Sequence, residues 1–127
     1  MPITMGWVLR QDNDPDGARA SFEAALRISR RSGYLFDLAY ASLGLACVAA
    51  DLGDPRRAAE LHGAAQAFLD RTGEPWPEPE AHYRRDGLHK VATSLGQEQF
   101  QRAYAKGTAF SLDKALALAS GKAQHQG

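Results

Sequence analysis

The chain has 127 residues, of which 44% are hydrophobic and 24% charged, a composition typical of one globular domain. Its 15 basic and 15 acidic residues cancel, so charge gives no reason to expect binding to nucleic acid or to an anionic membrane. No apolar run reaches the ~20 residues of a membrane span, and the N-terminus lacks a signal-peptide pattern. Cys47 is the only cysteine, which fits a reducing compartment. We therefore expect a cytoplasmic protein.

Capping signals and apolar periodicity predict seven helices. In chain order, the predicted ranges are 5–12, 15–32, 35–52, 55–72, 79–95, 97–106 and a last helix that begins after Ser111. Asp-Pro pairs open the second and fourth helices, because the carboxylate accepts from free N–H groups and proline has none to satisfy. Gly33, Gly73, Gly96 and Gly107 are predicted to end helices. The predicted buried stripe of the second helix is Ala18, Phe22, Ala25, Leu26 and Ser29.

A shift of 40 residues aligns the first two helix pairs with each other. The Asp-Pro pair at 14–15 falls on the pair at 54–55, and Met5 and Val8 fall on Leu45 and Val48. Small residues recur at matched positions, as Gly6, Ala18 and Ala25 and again as Ala46, Ala58 and Ala65. Side chains of this size permit close helix packing. The chain is therefore interpreted as two copies of one helical unit.

The spacing of Gly6, Ala18, Phe22 and Ala25 resembles the tetratricopeptide signature. The period here is 40 instead of the usual ~34, and His62 replaces the aromatic residue in the second unit, where we expect it to be partly buried and hydrogen-bonded. The resemblance implies an all-α fold, built as an antiparallel stack of helix hairpins in a right-handed superhelix.

The segment 74–80, which alternates proline with acidic residues and Trp76, interrupts the helical pattern. Proline at this density precludes a helix and favours an extended connector. Trp76 is expected to anchor the connector on the helical body. The chain is therefore divided into two elongated repeats at 1–73, the first of them truncated, the connector, a helical cap at 81–120 and a disordered tail at 121–127.

The stretches 58–86 and 95–119 resemble the C-terminal region of multidomain bacterial regulators, the LuxR/MalT-type signal-transduction ATPases and their cyclase-containing relatives. The resemblance implies a segment that binds partners or an inducer and has no active site. We expect a protein-interaction or regulatory module that is not an enzyme, takes no cofactor, and binds a protein or peptide, including other domains of a larger regulator. Two alternatives stay open: an inducer-sensing domain of a LuxR-type transcription factor, and a structural cap without independent activity.

Stacked helix pairs leave a concave groove on the side of the first helix of each pair. The predicted groove residues are Arg10, Tyr40, Ser42 and Asp51. The truncated first repeat should also leave apolar side chains of the N-terminal helix partly uncovered, and these would support a two-fold homodimer. The predicted self-association residues are Ile3, Trp7 and Leu9.

The histidines do not form a metal-binding pattern. His82 and His89 lie two turns apart on one predicted helix, or about 10 Å, which is too far for both to bind one ion. No serine or cysteine stands in a nucleophile motif with a base and an orienting group. The sequence therefore predicts no metal site and no catalytic residue.

Overall fold

The structure, a computed structural model, describes residues 2–119, and this part of the chain forms seven α-helices and no strand. The helices are α1 (Pro2–Gln11), α2 (Pro15–Ser32), α3 (Leu35–Asp51), α4 (Pro55–Asp70), α5 (Glu80–Leu95), α6 (Gln97–Thr108) and α7 (Leu112–Ala119). The predicted all-α class is confirmed. The predicted tail at 121–127 lies outside the described residues. Over residues 2–119, none of the helices has the length and apolar character to cross a membrane.

The two Asp-Pro helix starts have the same local geometry. Asp14 has φ −116° and ψ 75°, and its carboxylate accepts from the backbone N–H of Gly17 at 3.0 Å. Asp54 has φ −120° and ψ 75° and accepts from the N–H of Arg57 at 3.2 Å. The two helices therefore begin with the same cap and nearly the same cap dihedral angles. The sequence repeat is therefore also a structural repeat at these positions.

Glycine ends two of the helices as predicted and plays a different role in a third. Gly33 closes α2 in the left-handed conformation, at φ 76°, and donates its N–H to the carbonyl of Ser29 at 2.8 Å. Gly96 closes α5 at φ 85°. The prediction that Gly107 ends α6 is wrong, because the helix continues to Thr108 and Gly107 is buried within it. Gly107 is needed for packing and not for termination.

Helix α3 lies at the centre of the fold. Successive helices pack on each other from α1 to α4, and α5 then packs on both α3 and α4. Residues 38–49 of α3 are buried apart from Tyr40. The ring of Phe22, on α2, lies between Gly6 and Gly44: a Cβ atom at Gly6 would lie 2.7 Å from a ring carbon, and one at Gly44 would also collide with the ring. Glycine on α1 and on α3 thus makes room for one large side chain.

The C-terminal helices fold back on the stack. Helix α6 crosses α4 with backbone against backbone, since a Cβ at Gly63 would collide with the carbonyl oxygen of Tyr104 and one at Gly107 with that of Glu60. Helix α7 returns to α2 and α4, and its Asp113 pairs with Arg30 of α2 at 2.7 Å. The last helices therefore cover one side of the repeat stack.

Candidate interaction surfaces

The structure brings together two of the four predicted groove residues. The guanidinium of Arg10 donates to both carboxylate oxygens of Asp51, at 2.6 and 3.2 Å, and so joins the ends of α1 and α3. Burial makes the largest single contribution and lowers the pKa of Arg10, but the hydrogen bond to Asp51 and the charges of neighbouring acidic groups together outweigh it, so the pKa of Arg10 is raised. Tyr40 lies near the other end of α3, half-buried. Ser42 is fully buried, so the prediction that it lines an open groove is wrong: helices pack over that side of α3.

Aromatic rings close the middle of the predicted groove. Trp7 on α1 stacks on Tyr83 of α5, with ring centroids 4.4 Å apart and an interplanar angle of 24°. The same indole meets the ring of Phe22 edge-on at 5.0 Å. Trp7 is therefore only 9% exposed, and the prediction that it is partly uncovered is wrong, because Tyr83 of α5 covers it. Since α1 and α5 meet beside α3, open space remains toward the two ends of that helix.

The exposed apolar face of α1 is formed by Met5 and Val8, which are 52% and 46% exposed. Their counterparts in the second repeat, Leu45 and Val48, are 2% and 1% exposed. Those counterparts are covered by the helices on either side of α3, where Arg19 of α2 lies beside both. Helix α2 covers one side of α3, but within residues 2–119 no helix covers the corresponding side of α1. We call Met5 and Val8 the α1 face.

The predicted self-association residues Ile3 and Leu9 are half-buried and pack against the core. They are less accessible than the α1 face between them. Met5 and Val8 were not predicted to be surface residues. Their alignment with Leu45 and Val48 contained the signal: each is an apolar residue at a buried repeat position, on a helix that no other helix precedes in residues 2–119.

Two clefts flank the Trp7–Tyr83 contact. One, of about 570 Å³, lies at the end of α3 and is lined by polar side chains that include Asp51, His89 and Lys90. The other, of about 300 Å³, lies between α1, α2, α3 and α5 at the opposite end. It is lined by Ile3, Thr4, Ala25, Ile28, Ser29, Asp37, Tyr40 and Glu80. The Pro-rich connector passes close to this second cleft, since the ring of Trp76 lies beside that of Tyr40. The indole N–H of Trp76 donates to Gln66 of α4 at 2.8 Å, so Trp76 anchors the connector as predicted.

His62 takes the place in the second repeat that Phe22 takes in the first. It is fully buried, and neither ring nitrogen has a hydrogen-bond partner in the described part of the chain. The expectation of a partly buried, hydrogen-bonded histidine is therefore wrong. A Cβ at Gly87 would lie 3.0 Å from its Nε2, so the ring fills its site. Burial, with a smaller contribution from the charge of Arg84, lowers the pKa of His62 to about 3. The ring is neutral at physiological pH and acts as a packing residue.

The remaining reactive side chain is Cys47, which is buried in α3. Burial raises the pKa of its thiol to about 12, so the thiol is protonated and is not a nucleophile at neutral pH. Within residues 2–119, no group of three or more His, Cys, Asp or Glu side chains is arranged to hold a metal ion. Comparisons with protein-family models, with curated proteins and with solved structures returned no match to this chain.

Proposed function

We propose that the chain is a protein-interaction module of a larger bacterial regulator, built as a tetratricopeptide-like right-handed superhelix, and that its α1 face binds a helix of a partner domain. One observation carries this proposal: Met5 and Val8 are exposed at positions whose repeat counterparts, Leu45 and Val48, are buried. A partner helix would pack on α1 in the position that α2 occupies on α3.

The size of the α1 face sets the strength of the contact. Complete burial of a methionine or valine side chain is worth about 1.5–3 kcal/mol. Met5 and Val8 are already about half-buried, so covering both would contribute about 1.5–3 kcal/mol in total. This free energy is well short of what a stable complex requires. The partner must therefore also contact neighbouring surfaces, or be held close by tethering to the same assembly.

A photo-crosslinking experiment tests the proposal. A benzophenone side chain is introduced at Val8 and, as a matched control, at Gln101, which is exposed on α6. We expect a discrete protein adduct from position 8 in cells and none of the same mass from position 101. Adding Met5→Glu to the chain that carries the benzophenone at Val8 should abolish the adduct while the circular dichroism stays unchanged.

The identity of the adduct separates the remaining readings. An adduct of twice the chain mass would show that a second copy covers the α1 face and would replace the heterologous partner by a homodimer. No specific adduct from position 8 would contradict the proposal and favour a structural cap, a role consistent with the packing of α7 on α2 and α4.

A second candidate function, inducer sensing, is favoured by the cleft of about 300 Å³ beside Tyr40. This volume is at the lower end of the range for small-molecule sites. A thermal-shift screen of small metabolites tests it, because a ligand that binds only the folded state raises the melting temperature. A screen without a saturable shift counts against inducer sensing and leaves the α1-face proposal intact.

A further inference from the structure

The cleft between α1, α2, α3 and α5 combines an apolar lining with exposed apolar rims. Ile3, Ala25 and Ile28 contribute aliphatic carbon, and the ring of Tyr40 forms part of the wall. Ile28 is 57% exposed. An isoleucine left this open beside a concave surface is the kind of side chain that a docked partner covers.

The cleft is also acidic. Asp37 enters its lining from the first turn of α3 and Glu80 from the first turn of α5, and none of the lining residues is lysine or arginine. Nine of the fifteen acidic side chains form ion pairs within residues 2–119, and Asp37 and Glu80 are among the six that do not. An acidic residue in a first turn suits the helix dipole. The dipole does not explain why two such residues, from different helices, face one apolar cleft.

The two carboxylates both influence the hydroxyl of Tyr40. Partial burial raises the pKa of the Tyr40 hydroxyl, and the negative charges of Glu80 and Asp37 raise it further. Both carboxylates therefore act on the same side chain. A cation placed beside the Tyr40 ring would be attracted by both carboxylates and by the face of the ring.

An aromatic row extends this surface beyond the cleft. The ring centroid of Phe36 lies 6.2 Å from that of Tyr40, and the Tyr40 centroid lies 6.0 Å from that of Trp76. Phe36 is 38% exposed. The row provides contact area for a ligand longer than the cleft, such as a segment of polypeptide.

We propose that this acidic cleft docks a peptide segment that carries an apolar side chain one helical turn from a lysine or arginine. The apolar side chain packs between Ile3 and Ile28, and the cation lies between Asp37 and Glu80. The cleft is open to solvent and continuous with the aromatic row, which suits a segment presented by another protein. The inference does not depend on the α1 face, and the two are tested with different variants.

The binding test uses two blocked alanine-based helical peptides. One carries leucine and lysine one turn apart, and the other has glutamate in place of the lysine. Binding to the whole chain is measured by fluorescence anisotropy, and the contact surface by amide chemical-shift changes. We expect the lysine peptide to bind, with shifts at Ile28, Asp37 and Tyr40, and the glutamate peptide to bind at least about tenfold more weakly.

Matched variants separate charge from packing. The double variant Asp37→Asn with Glu80→Gln should weaken binding of the lysine peptide about tenfold, the loss expected from two partly exposed ion pairs. The control, Asp12→Asn with Glu98→Gln, changes the net charge equally at exposed sites away from the cleft and should leave binding unchanged. Ile28→Ser should weaken the binding of both peptides.

Four results of the peptide experiments would overturn the proposal, and a fifth comes from a small-molecule control. The four are no binding of the lysine peptide to the wild-type chain, equal binding of both peptides, an equal loss in the control variant, and chemical-shift changes confined to another surface. Free butylammonium binding as tightly as the lysine peptide would also overturn it and identify the cleft as a small-molecule site.

Discussion

Replacement of Gly107 by alanine sets two physical effects against each other. Gly107 lies inside α6, so helix propensity alone would make Gly107→Ala stabilising by up to about 1 kcal/mol. The new Cβ would however collide with the carbonyl oxygen of Glu60 on α4 and would lie 2.6 Å from its carbonyl carbon, against at least 3.4 Å for an ordinary contact. The two effects have opposite signs, so the sign of the measured change identifies the larger one.

The steric effect should win because the obstructing atoms belong to the backbone. They cannot rotate away, so α6 has to move by about 1 Å relative to α4, which overpacks one contact and loosens the burial of Ala103. Overpacking of this kind costs about 1–3 kcal/mol. Taking the upper end and subtracting the propensity gain, we expect Gly107→Ala to lower the free energy of unfolding by about 2 kcal/mol.

Urea unfolding followed by far-UV circular dichroism measures the change. Gln101→Ala, on the exposed side of α6, is the control and should stay within about 0.5 kcal/mol of wild type. Gly63→Ala meets the carbonyl of Tyr104 in the same crossing and should behave like Gly107→Ala, with the two losses less than additive. If Gly107→Ala is as stable as wild type or more so, α6 does not cross α4 by direct backbone contact.

Three further predictions concern buried or capping side chains. Burial lowers the pKa of His62 from 6.5 to about 3, so between these values the unfolded chain binds a proton that the folded chain does not. Stability from this group is complete above pH 6.5 and falls as the pH drops toward 3, by about 2 kcal/mol at pH 5. Urea titrations at pH 5 and 7 should show this loss in wild type and in the exposed control His89→Gln but not in His62→Leu, and three identical pH profiles would contradict it. With its pKa raised to about 12 by burial, the Cys47 thiol should react with Ellman's reagent only as the chain unfolds; immediate labelling of the native protein would refute this. Asp54→Ala removes the cap of α4 and should cost about 1 kcal/mol in thermal melts, whereas Asp54→Asn keeps an acceptor and most of the stability; equal losses would assign the effect to charge.

The sequence predicted the order of the helices and several of their ends. Asp14 caps α2 and Gly33 ends it at the predicted residues, because a cap or a left-handed turn depends on atoms within a few residues of each other. The predicted stripe of α2, from Ala18 to Ser29, is buried in full, because periodicity along a helix places those side chains on one side whatever packs against them.

The surfaces depended on the tertiary structure. Helix α3 is apolar around most of its circumference, so its sequence did not show that Ser42 would be closed off while Tyr40 stayed accessible. Trp7 is covered by Tyr83, a residue far along the chain, and no local signal specifies that contact. The carboxylates of the acidic cleft likewise come from separate helices. Helix starts and stops such as those of α2 arise from short-range hydrogen bonds and dihedral preferences, so the sequence determined them. The packing of the seven helices decides which helices meet, which faces stay open and why Gly107 lies within α6, so only the tertiary structure showed these features.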